Sequence, residues 1–437
     1  MSEGLKATVV CGAGGVIGGI LGAGAGTVVW PGVGTGAGAW KGAVGGCAIA
    51  LMAAGCTNDE GSVDVVVDGP HGTDGGPTEG KDAGPGTPVS KKPYAAVLEA
   101  DFTNPAGTLR LLELGGLGES PFVYQDSPTF PTHSDAVIRS SVAGGLPLCV
   151  VNRLGRDTVQ CVDLQTGQST EYPMGEGTNP QDVLIFSGEK AYVSLYNPTE
   201  PGDLLVMNPR SGEITTRIDL SSYAENGSPA EAAAMVYVER RGRGFAVVAL
   251  QDLNGFTADK NGKLVWIDTT TDRVDQVTPL TGANPFTLAA TADQVLVGNA
   301  GTFNPDDSLG GVEAVSIASG ISQGIAIDDR DLGGAPGDIE TSSNSGFVTA
   351  SFIDPVTSAY RSRIFRFPLN PIGGATAVYE SAGSIQDTEW VERVSGLLVG
   401  DRDPGFPGVL LIGPNGAVLH DKLAGGLPPA SIATYEQ

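Results

Sequence analysis

The sequence is poor in basic residues and in charge generally. Among 437 residues it has 25 Lys and Arg against 50 Asp and Glu, so the formal net charge is −25. A surface of that sign repels phosphate backbones, which argues against nucleic-acid binding. Charged residues make up only 17% of the chain, whereas Gly (65) and Pro (29) are abundant. This composition is typical of many short strands and disfavours helical bundles.

Histidine and cysteine are also scarce, which removes the common catalytic and zinc-binding patterns. The chain has three His and five Cys. It lacks a Cys–His pair with an orienting group, a Walker loop and a His-rich metal triad. The sequence therefore identifies no nucleophile with a matched base. His133, two residues from Asp135, is the one candidate for a general base.

Residues 1–55 form an apolar, Gly-rich segment that ends in an export-type signal. Lys41 precedes a short apolar stretch at 43–54, and small residues stand directly before Cys56. A cationic anchor, an apolar region of about 7–15 residues and small side chains at the cleavage site are what an export signal needs. The ending Ala53-Ala54-Gly55-Cys56 resembles the lipobox of bacterial lipoproteins, with Ala53 where Leu is usual. The resemblance implies diacylation of Cys56 and a lipid anchor in the bacterial cell envelope, at the outer membrane, the periplasm or the cell surface.

Other interpretations of the N-terminal region stay open. The signal is also compatible with ordinary secretion or with an uncleaved anchor. Residues 1–40 either precede the real translation start or form a glycine-zipper membrane segment over 7–29. Residues 56–92 are dominated by Gly, Pro, Asp and Thr, so they cannot bury enough apolar surface to offset their backbone entropy. We expect them to be a disordered tether.

A four-strand pattern recurs through residues 93–437. Its units open at comparable places, which are Asp135, Asp182, Glu231, Thr287, Asp338, Asp387 and Ser431. Their spacing is close to the roughly 40–50 residues of a four-stranded propeller blade. The pattern predicts an all-β, seven-bladed β-propeller, with six or eight blades as alternatives.

The two ends of the repeat region complement each other. The first unit, which begins at Pro93, supplies only three strands, and the last segment, at 431–435, supplies one. Placed innermost in the first blade, the last strand would complete that blade and leave no open sheet edge. We therefore predict that the C-terminal strand closes the ring.

One unit carries a recognisable repeat. Its opening Asn179-Pro180-Gln181-Asp182-Val183 is followed by Tyr192-Val193, by Val206-Met207-Asn208 and by the turn Ser211-Gly212. These segments resemble the YVTN (surface-layer, YncE-like) β-propeller repeat, and the unit around Leu148–Asn152 matches nearly as well. The resemblance implies a propeller outside the cytoplasm. It does not imply one activity, because members of this family do many things.

Cys149 and Cys161 are the two cysteines of the predicted mature domain. They lie in consecutive strands of a hairpin centred on Gly155, which places them directly opposite each other. Directly paired residues are within disulfide reach, and an exported protein is in an oxidising compartment. The sequence therefore predicts a Cys149–Cys161 disulfide. Two small buried apolar side chains are the alternative, because further zinc ligands are missing.

The residues that open the units form one candidate site. The innermost strand of each propeller blade faces the central channel, so equivalent positions make a ring. Five carboxylates would converge there beside Thr287 and Ser431, namely Asp135, Asp182, Glu231, Asp338 and Asp387. Water, protons or a cation must screen such a cluster, and Ca²⁺ takes oxygen ligands of this kind. The alternative is that these acids cap backbone N–H groups and hold the blades together.

Two functions follow from these observations. The first is a monomeric, non-catalytic cell-envelope lipoprotein whose propeller binds a protein, polysaccharide or envelope component through its loop face. The second is a Ca²⁺-type, metal-dependent lactonase or esterase that uses the acidic ring with His133. No cofactor other than Ca²⁺ is suggested, and the membrane contact is predicted to be through the lipid alone.

Overall fold

The computed structural model describes residues 94–101, 106–115, 122–139, 146–164, 166–225, 229–254, 257–303, 308–354 and 356–435. The predicted signal at 1–55, the lipidation candidate Cys56 and the predicted tether at 56–92 lie outside the described residues. Within the described part, one four-residue helix is present, α1 (Asp329–Leu332), together with 3₁₀ turns at Ser221–Tyr223 and Glu392–Val394. No helix there has the length and apolar character needed to cross a membrane.

Strands dominate the described residues and form seven four-stranded antiparallel sheets. Blades 1 to 3 contain β1 (Tyr94–Ala100), β2 (Ala106–Leu114), β3 (Phe122–His133), β4 (Ala136–Val137), β5 (Leu148–Asn152), β6 (Thr158–Asp163), β7 (Gln168–Pro173), β8 (Pro180–Ser187), β9 (Lys190–Leu195), β10 (Leu204–Met207) and β11 (Ile214–Ile218). Blades 4 and 5 contain β12 (Ala232–Arg240), β13 (Arg243–Leu250), β14 (Lys263–Asp268), β15 (Arg273–Pro279), β16 (Pro285–Ala290), β17 (Gln294–Ala300), β18 (Gly310–Ser316) and β19 (Ile321–Asp328). Blades 6 and 7 contain β20 (Ala335–Thr341), β21 (Ser345–Ile353), β22 (Tyr360–Pro368), β23 (Thr376–Ser381), β24 (Ser384–Val391), β25 (Gly396–Arg402), β26 (Gly408–Ile412) and β27 (Val418–Leu423), and β28 (Pro429–Tyr435) returns to blade 1.

The sheets surround one axis as the blades of a propeller. The strands β4, β8, β12, β16, β20, β24 and β28 each lie at one edge of their sheet. From β8 round to β28 and on to β4, each of them contacts the next, and at the remaining junction β5 of blade 2 contacts β8 of blade 3. These are the innermost strands. The seven-bladed all-β fold predicted from the repeat is confirmed.

Ring closure is made by the two ends of the domain. Strand β28 pairs antiparallel with β1, and Ser431 lies opposite Leu98 in this ladder. Blade 1 therefore has the order β28-β1-β2-β3, with the C-terminal strand innermost. The pairing satisfies the edge of β1, as the three-strand count of the first unit predicted.

The core lies between neighbouring blades. Each sheet is apolar on both faces of its inner strands, so side chains from adjacent blades share one cluster. Tyr192 of blade 3, for example, packs with Val248 and Ile267 of blade 4. Trp266 of blade 4 packs with Val297 of blade 5 and is fully buried. The repeat is thus stabilised by sheet-on-sheet burial around the whole ring.

The predicted disulfide is confirmed. Cys149 on β5 and Cys161 on β6 are directly opposed in the ladder, with their Cα atoms 4.0 Å apart. The bond joins the second and third strands of blade 2. Because it closes a short loop, its stabilising effect falls near the lower part of the roughly 2–4 kcal/mol range.

Candidate functional site

The channel is lined by one equivalent position in each innermost strand, which we call the inner ring. Pairing with the second strand of each blade defines this position. Asp182 lies opposite Ser194 and Thr287 lies opposite Gly298, and in blades 6 and 7 the regular ladder resumes one residue past the position. The inner ring consists of Val137, Asp182, Ala234, Thr287, Asp338, Asp387 and Ser431. Five of the seven residues that the sequence placed in a ring are therefore brought together.

Three inner-ring aspartates bond to the backbone of the next blade. Asp182 Oδ2 accepts the Met235 N–H at 2.7 Å, and Asp338 Oδ2 accepts the Thr388 N–H at 2.9 Å. Asp387 Oδ2 accepts the Ile432 N–H at 2.7 Å. In each case the donor is one residue past the inner-ring position of the following blade. The carboxylates thus act as fixed acceptors that join consecutive blades.

Ser431 continues the same arrangement across the closing junction. Its hydroxyl accepts the Ile138 N–H at 3.0 Å and lies 2.6 Å from the Ile138 carbonyl oxygen. The hydroxyl oxygen is also 2.5 Å from Asp387 Oδ2. Blades 7, 1 and 2 are therefore linked through one serine.

Asp135 and Glu231 do not belong to the inner ring, which corrects the register predicted from sequence. Their backbone carbonyls accept N–H groups from the end of the second strand of their own blade, as the carbonyl of Asn179 does in blade 3. Asp135 and Glu231 thus correspond to Asn179 of blade 3, which lies before the inner-ring residue of its blade and not in the inner ring. The inner-ring positions of blades 2 and 4 are the apolar residues Val137 and Ala234.

Asp135 and Glu231 have local structural contacts instead. Asp135 Oδ1 forms a buried ion pair with Arg153 at 2.6 Å. Glu231 Oε2 accepts the Leu253 N–H at 2.6 Å, and Glu231 is only 6% exposed. Burial raises the pKa of Glu231 to about 7, against the opposing effect of that hydrogen bond.

A second tier of acids lies two residues further along the innermost strands of blades 6 and 7. Glu340 Oε2 accepts the Trp390 N–H at 3.3 Å, and Glu389 Oε1 accepts the Thr434 hydroxyl at 2.6 Å. Residues two apart on a strand share one face, so Glu340 follows Asp338 and Glu389 follows Asp387 into the channel. Glu389 raises the pKa of Glu340 further above the level that burial produces.

Arg139 contributes a positive charge to the channel. It stands two residues past Val137, at the second-tier position of blade 2. Its positive charge lowers the pKa values of Asp182, Asp338 and Asp387, which places the guanidinium near all three inner-ring carboxylates. The Arg139 Nε–H is buried and makes no hydrogen bond to any residue that the structure describes. Arg139 thus supplies a side-chain counter-charge to the acids.

Burial is the dominant influence on these carboxylates. Asp182 is 1% exposed, and burial raises its pKa to about 6 despite Arg139 and two backbone N–H donors. Burial also raises the pKa of Asp338, and that of Asp387 still further, with the Asp338 charge as the second cause for Asp387. The channel therefore tends to hold protons at mildly acidic pH.

The acids do not fit a bound metal ion. Among the described residues, no three or more His, Cys, Asp or Glu side chains are grouped so that they could hold one. The Oδ2 atoms of the inner-ring aspartates point at main-chain donors. A Ca²⁺ site needs several oxygen ligands converging on one point.

His133 does not lie on an innermost strand. It ends β3, the outermost strand of blade 1. Its Nδ1 accepts the Asp135 N–H at 3.3 Å, and its own N–H donates to Asn152 Oδ1 at 3.1 Å. The structure therefore does not bring His133 together with Asp182, Asp338 and Asp387.

Comparison with known proteins gives the fold but no family. No protein-family profile matches the chain, and no curated protein matches it in sequence. A proposed 6-phosphogluconolactonase from Bacteroides uniformis is similar with a TM-score of 0.55 and 13% identity, covering 79% of this chain and 100% of that one. A proposed 6-phosphogluconolactonase from Bacteroides fragilis has a TM-score of 0.52 and 13% identity, covering 79% and 98%. These neighbours support the class of seven-bladed β-propellers, and at such identity they carry no activity to this chain.

Proposed function

We propose that this chain is a cell-envelope lipoprotein whose propeller binds a protein, polysaccharide or envelope component without catalysing a reaction. The YVTN-type repeat and the lipobox-like sequence before Cys56 support an extracytoplasmic, lipid-anchored protein. The propeller would be held away from the membrane by residues 56–92.

One observation carries the non-catalytic part of the proposal. The inner-ring aspartates accept main-chain N–H groups of the next blade, and Arg139 supplies a cation beside them. Carboxylates held in this way serve the ring itself. A hydrolase would need some of them to activate water or to ligate a metal.

The hydrolase alternative is tested directly. The purified full chain should show no turnover on a panel of lactones and esters, with or without added Ca²⁺. His133→Ala and Asp182→Asn are the matched variants, each checked for an intact melting transition. Activity that is present in the parent and disappears in both folded variants would overturn the proposal.

Binding is tested with isolated bacterial envelope fractions. The full chain should sediment with cell walls or with purified surface polysaccharide in a saturable manner. A denatured sample of the same chain and an unrelated acidic protein are the controls. A chain that stays in the supernatant with every fraction would contradict the binding role.

A further inference from the structure

A cavity of about 380 Å³ lies at the end of the propeller opposite Asp135 and Asn179. It is formed by the tip of blade 2, by the turn between β10 and β11 in blade 3, and by Tyr435 at the end of β28. Strand β5 shows that the two places are apart. Ala136, next to Asp135, pairs with Asn152 at one end of β5, and the cavity lies beside Leu148 at the other end. The cavity is therefore separate from the inner ring.

One face of the β6–β7 ladder forms its floor. Asp163 lies directly opposite Gln168, and Cys161 lies directly opposite Thr170. Tyr172 follows Thr170 by two residues and so points to the same side. This face presents the Asp163 carboxylate on β6 and the Gln168 amide, the Thr170 hydroxyl and the Tyr172 phenol on β7. The Cys149–Cys161 bond lies on the same face.

The opposite wall is provided by Arg210, and neighbouring contacts fix its position. The Tyr172 hydroxyl donates to the Arg210 carbonyl oxygen at 2.6 Å. The guanidinium packs flat against Gly188, where a Cβ atom would lie only 2.8 Å from Arg210 Cζ. The Tyr172 ring packs on Gly212 in the same way, at 2.1 Å from a Cβ placed there. The Cys149–Cys161 bond holds the floor to β5. Tyr172 and Arg210 are thus positioned before any ligand arrives.

We propose that this cavity binds the terminal one or two sugar units of a neutral glycan. Its volume falls in the range of about 300–1,000 Å³ for small-molecule sites. The opposite charges of Asp163 and Arg210 balance, so the cavity favours a ligand without net charge. Gln168 and Thr170 add donors and acceptors that suit adjacent hydroxyl groups, and the half-buried Tyr172 adds an apolar body that suits a sugar C–H face.

The overall charge of the protein also favours a neutral ligand. At −25, the chain repels polyanions such as nucleic acids and acidic polysaccharides. A hydroxyl-rich neutral ligand avoids this repulsion. The inference names a ligand class and a site for the binding role proposed above, and it rests on that role.

The test is calorimetry on the full chain with a panel of neutral sugars: glucose, galactose and N-acetylglucosamine with their β-linked disaccharides. At least one sugar should bind, and Arg210→Ala and Gln168→Ala should each weaken it by about tenfold, equivalent to about 1.4 kcal/mol. Arg217→Ala is the matched control, because Arg217 lies on β11 of the same blade and pairs with Glu200 at 3.4 Å outside the cavity.

The outcomes separate this inference from the proposed function. No heat with any sugar of the panel, or sugar binding that Arg210→Ala and Gln168→Ala leave unchanged, would overturn the cavity assignment. If cell-wall sedimentation persists unchanged in both variants, the binding role stands and the glycan site is wrong. If the parent chain fails to sediment with any envelope fraction, the binding role itself is wrong.

Discussion

Asp387 Oδ2 lies 2.7 Å from the Ile432 backbone nitrogen, so a side chain of blade 7 accepts a hydrogen bond from the strand that closes blade 1. The same oxygen lies 2.5 Å from the Ser431 hydroxyl. Ring closure thus depends on a side-chain acceptor as well as on the β1–β28 ladder.

Replacing Asp387 by Ala should therefore destabilise the propeller. The Ile432 N–H would stay buried without its acceptor, which costs about 1–3 kcal/mol. Thermal unfolding followed by circular dichroism should show a melting temperature lowered by several degrees. Asp421→Ala is the control, since Asp421 is exposed on the outermost strand of the same blade. Equal melting temperatures for the two variants would contradict a stabilising role for the Asp387–Ile432 hydrogen bond.

Stability should fall as the pH rises from mildly acidic to mildly basic. Folding raises the pKa of Asp182 from 3.8 to about 6 and that of Glu231 from 4.5 to about 7. Between these values the folded state binds more protons than the unfolded state, so the free energy of unfolding decreases with pH. This contribution is complete below about pH 4 and is lost as the pH passes 6 and then 7.

The measurement is the melting temperature in a series of buffers of constant ionic strength. It should be higher near pH 5 than near pH 8. Asp182→Asn, which cannot ionise, should show a smaller difference between the two pH values. A melting temperature that rises steadily from about pH 5 to pH 8 would contradict the burial of these acids in protonated form.

Removing the channel cation should make the acids more costly to ionise. In Arg139→Gln, Asp182, Asp338 and Asp387 lose the charge that lowers their pKa values. The melting temperature should fall by more near pH 8 than near pH 5, because the pKa of Asp182, about 6, lies between these two pH values and Arg139 stabilises only the ionised carboxylate. Arg273→Gln, at an exposed position that begins β15, is the control. A loss of stability that is the same at both pH values would show that Arg139 acts by packing alone.

The lipid anchor can be tested in a bacterial expression host. The full chain should fractionate with membranes and should carry the mass of a diacylglyceryl group on the peptide that begins at Cys56. Cys56→Ser should release the protein into the soluble fraction, because one residue provides the predicted attachment. Cys47→Ser, within the same apolar segment, should change nothing. Membrane association that survives Cys56→Ser would favour an uncleaved anchor.

Most of the fold could be predicted from the sequence because a propeller repeats its own pattern. The spacing from Asp182 to Asp338 and Asp387, the lone strand at Ser431 and the opposed cysteines each reflect the four-strand period. Every blade buries the same strand faces, so the pattern of apolar residues in one unit predicts the strands of the next.

The register of blades 2 and 4 could not be predicted from the acidic residues, because the inner-ring position of these two blades is not acidic. In blades 2 and 4 the ring position is apolar, and the nearest acids, Asp135 and Glu231, serve the end of the second strand. Strand β12 also has an irregularity between Ala232 and Met235, which shifts its pairing. Alignment of the units by the pairing of their first two strands, rather than by their carboxylates, would have placed Val137 and Ala234 in the inner ring.

Other parts of the channel carried a weaker signal. Arg139, Glu340 and Glu389 each stand two residues past an inner-ring position, so strand alternation alone would have found them once the register was known. The cavity beside Arg210 had no such signal. It combines Asp163 and Tyr172 of blade 2 with Arg210 of blade 3 and Tyr435 of the closing strand, and only the closed ring brings them together.

Because β28 completes blade 1, the order of synthesis and the order of assembly run against each other. The strands β1 to β3 are made first, yet the inner edge of β1 has no partner until residues 429–435 have been delivered. An exported chain would thus cross its membrane with that edge still unpaired, a surface prone to aberrant strand pairing. A nascent chain that stalls before Pro429 has six complete blades, and its first blade lacks the innermost strand.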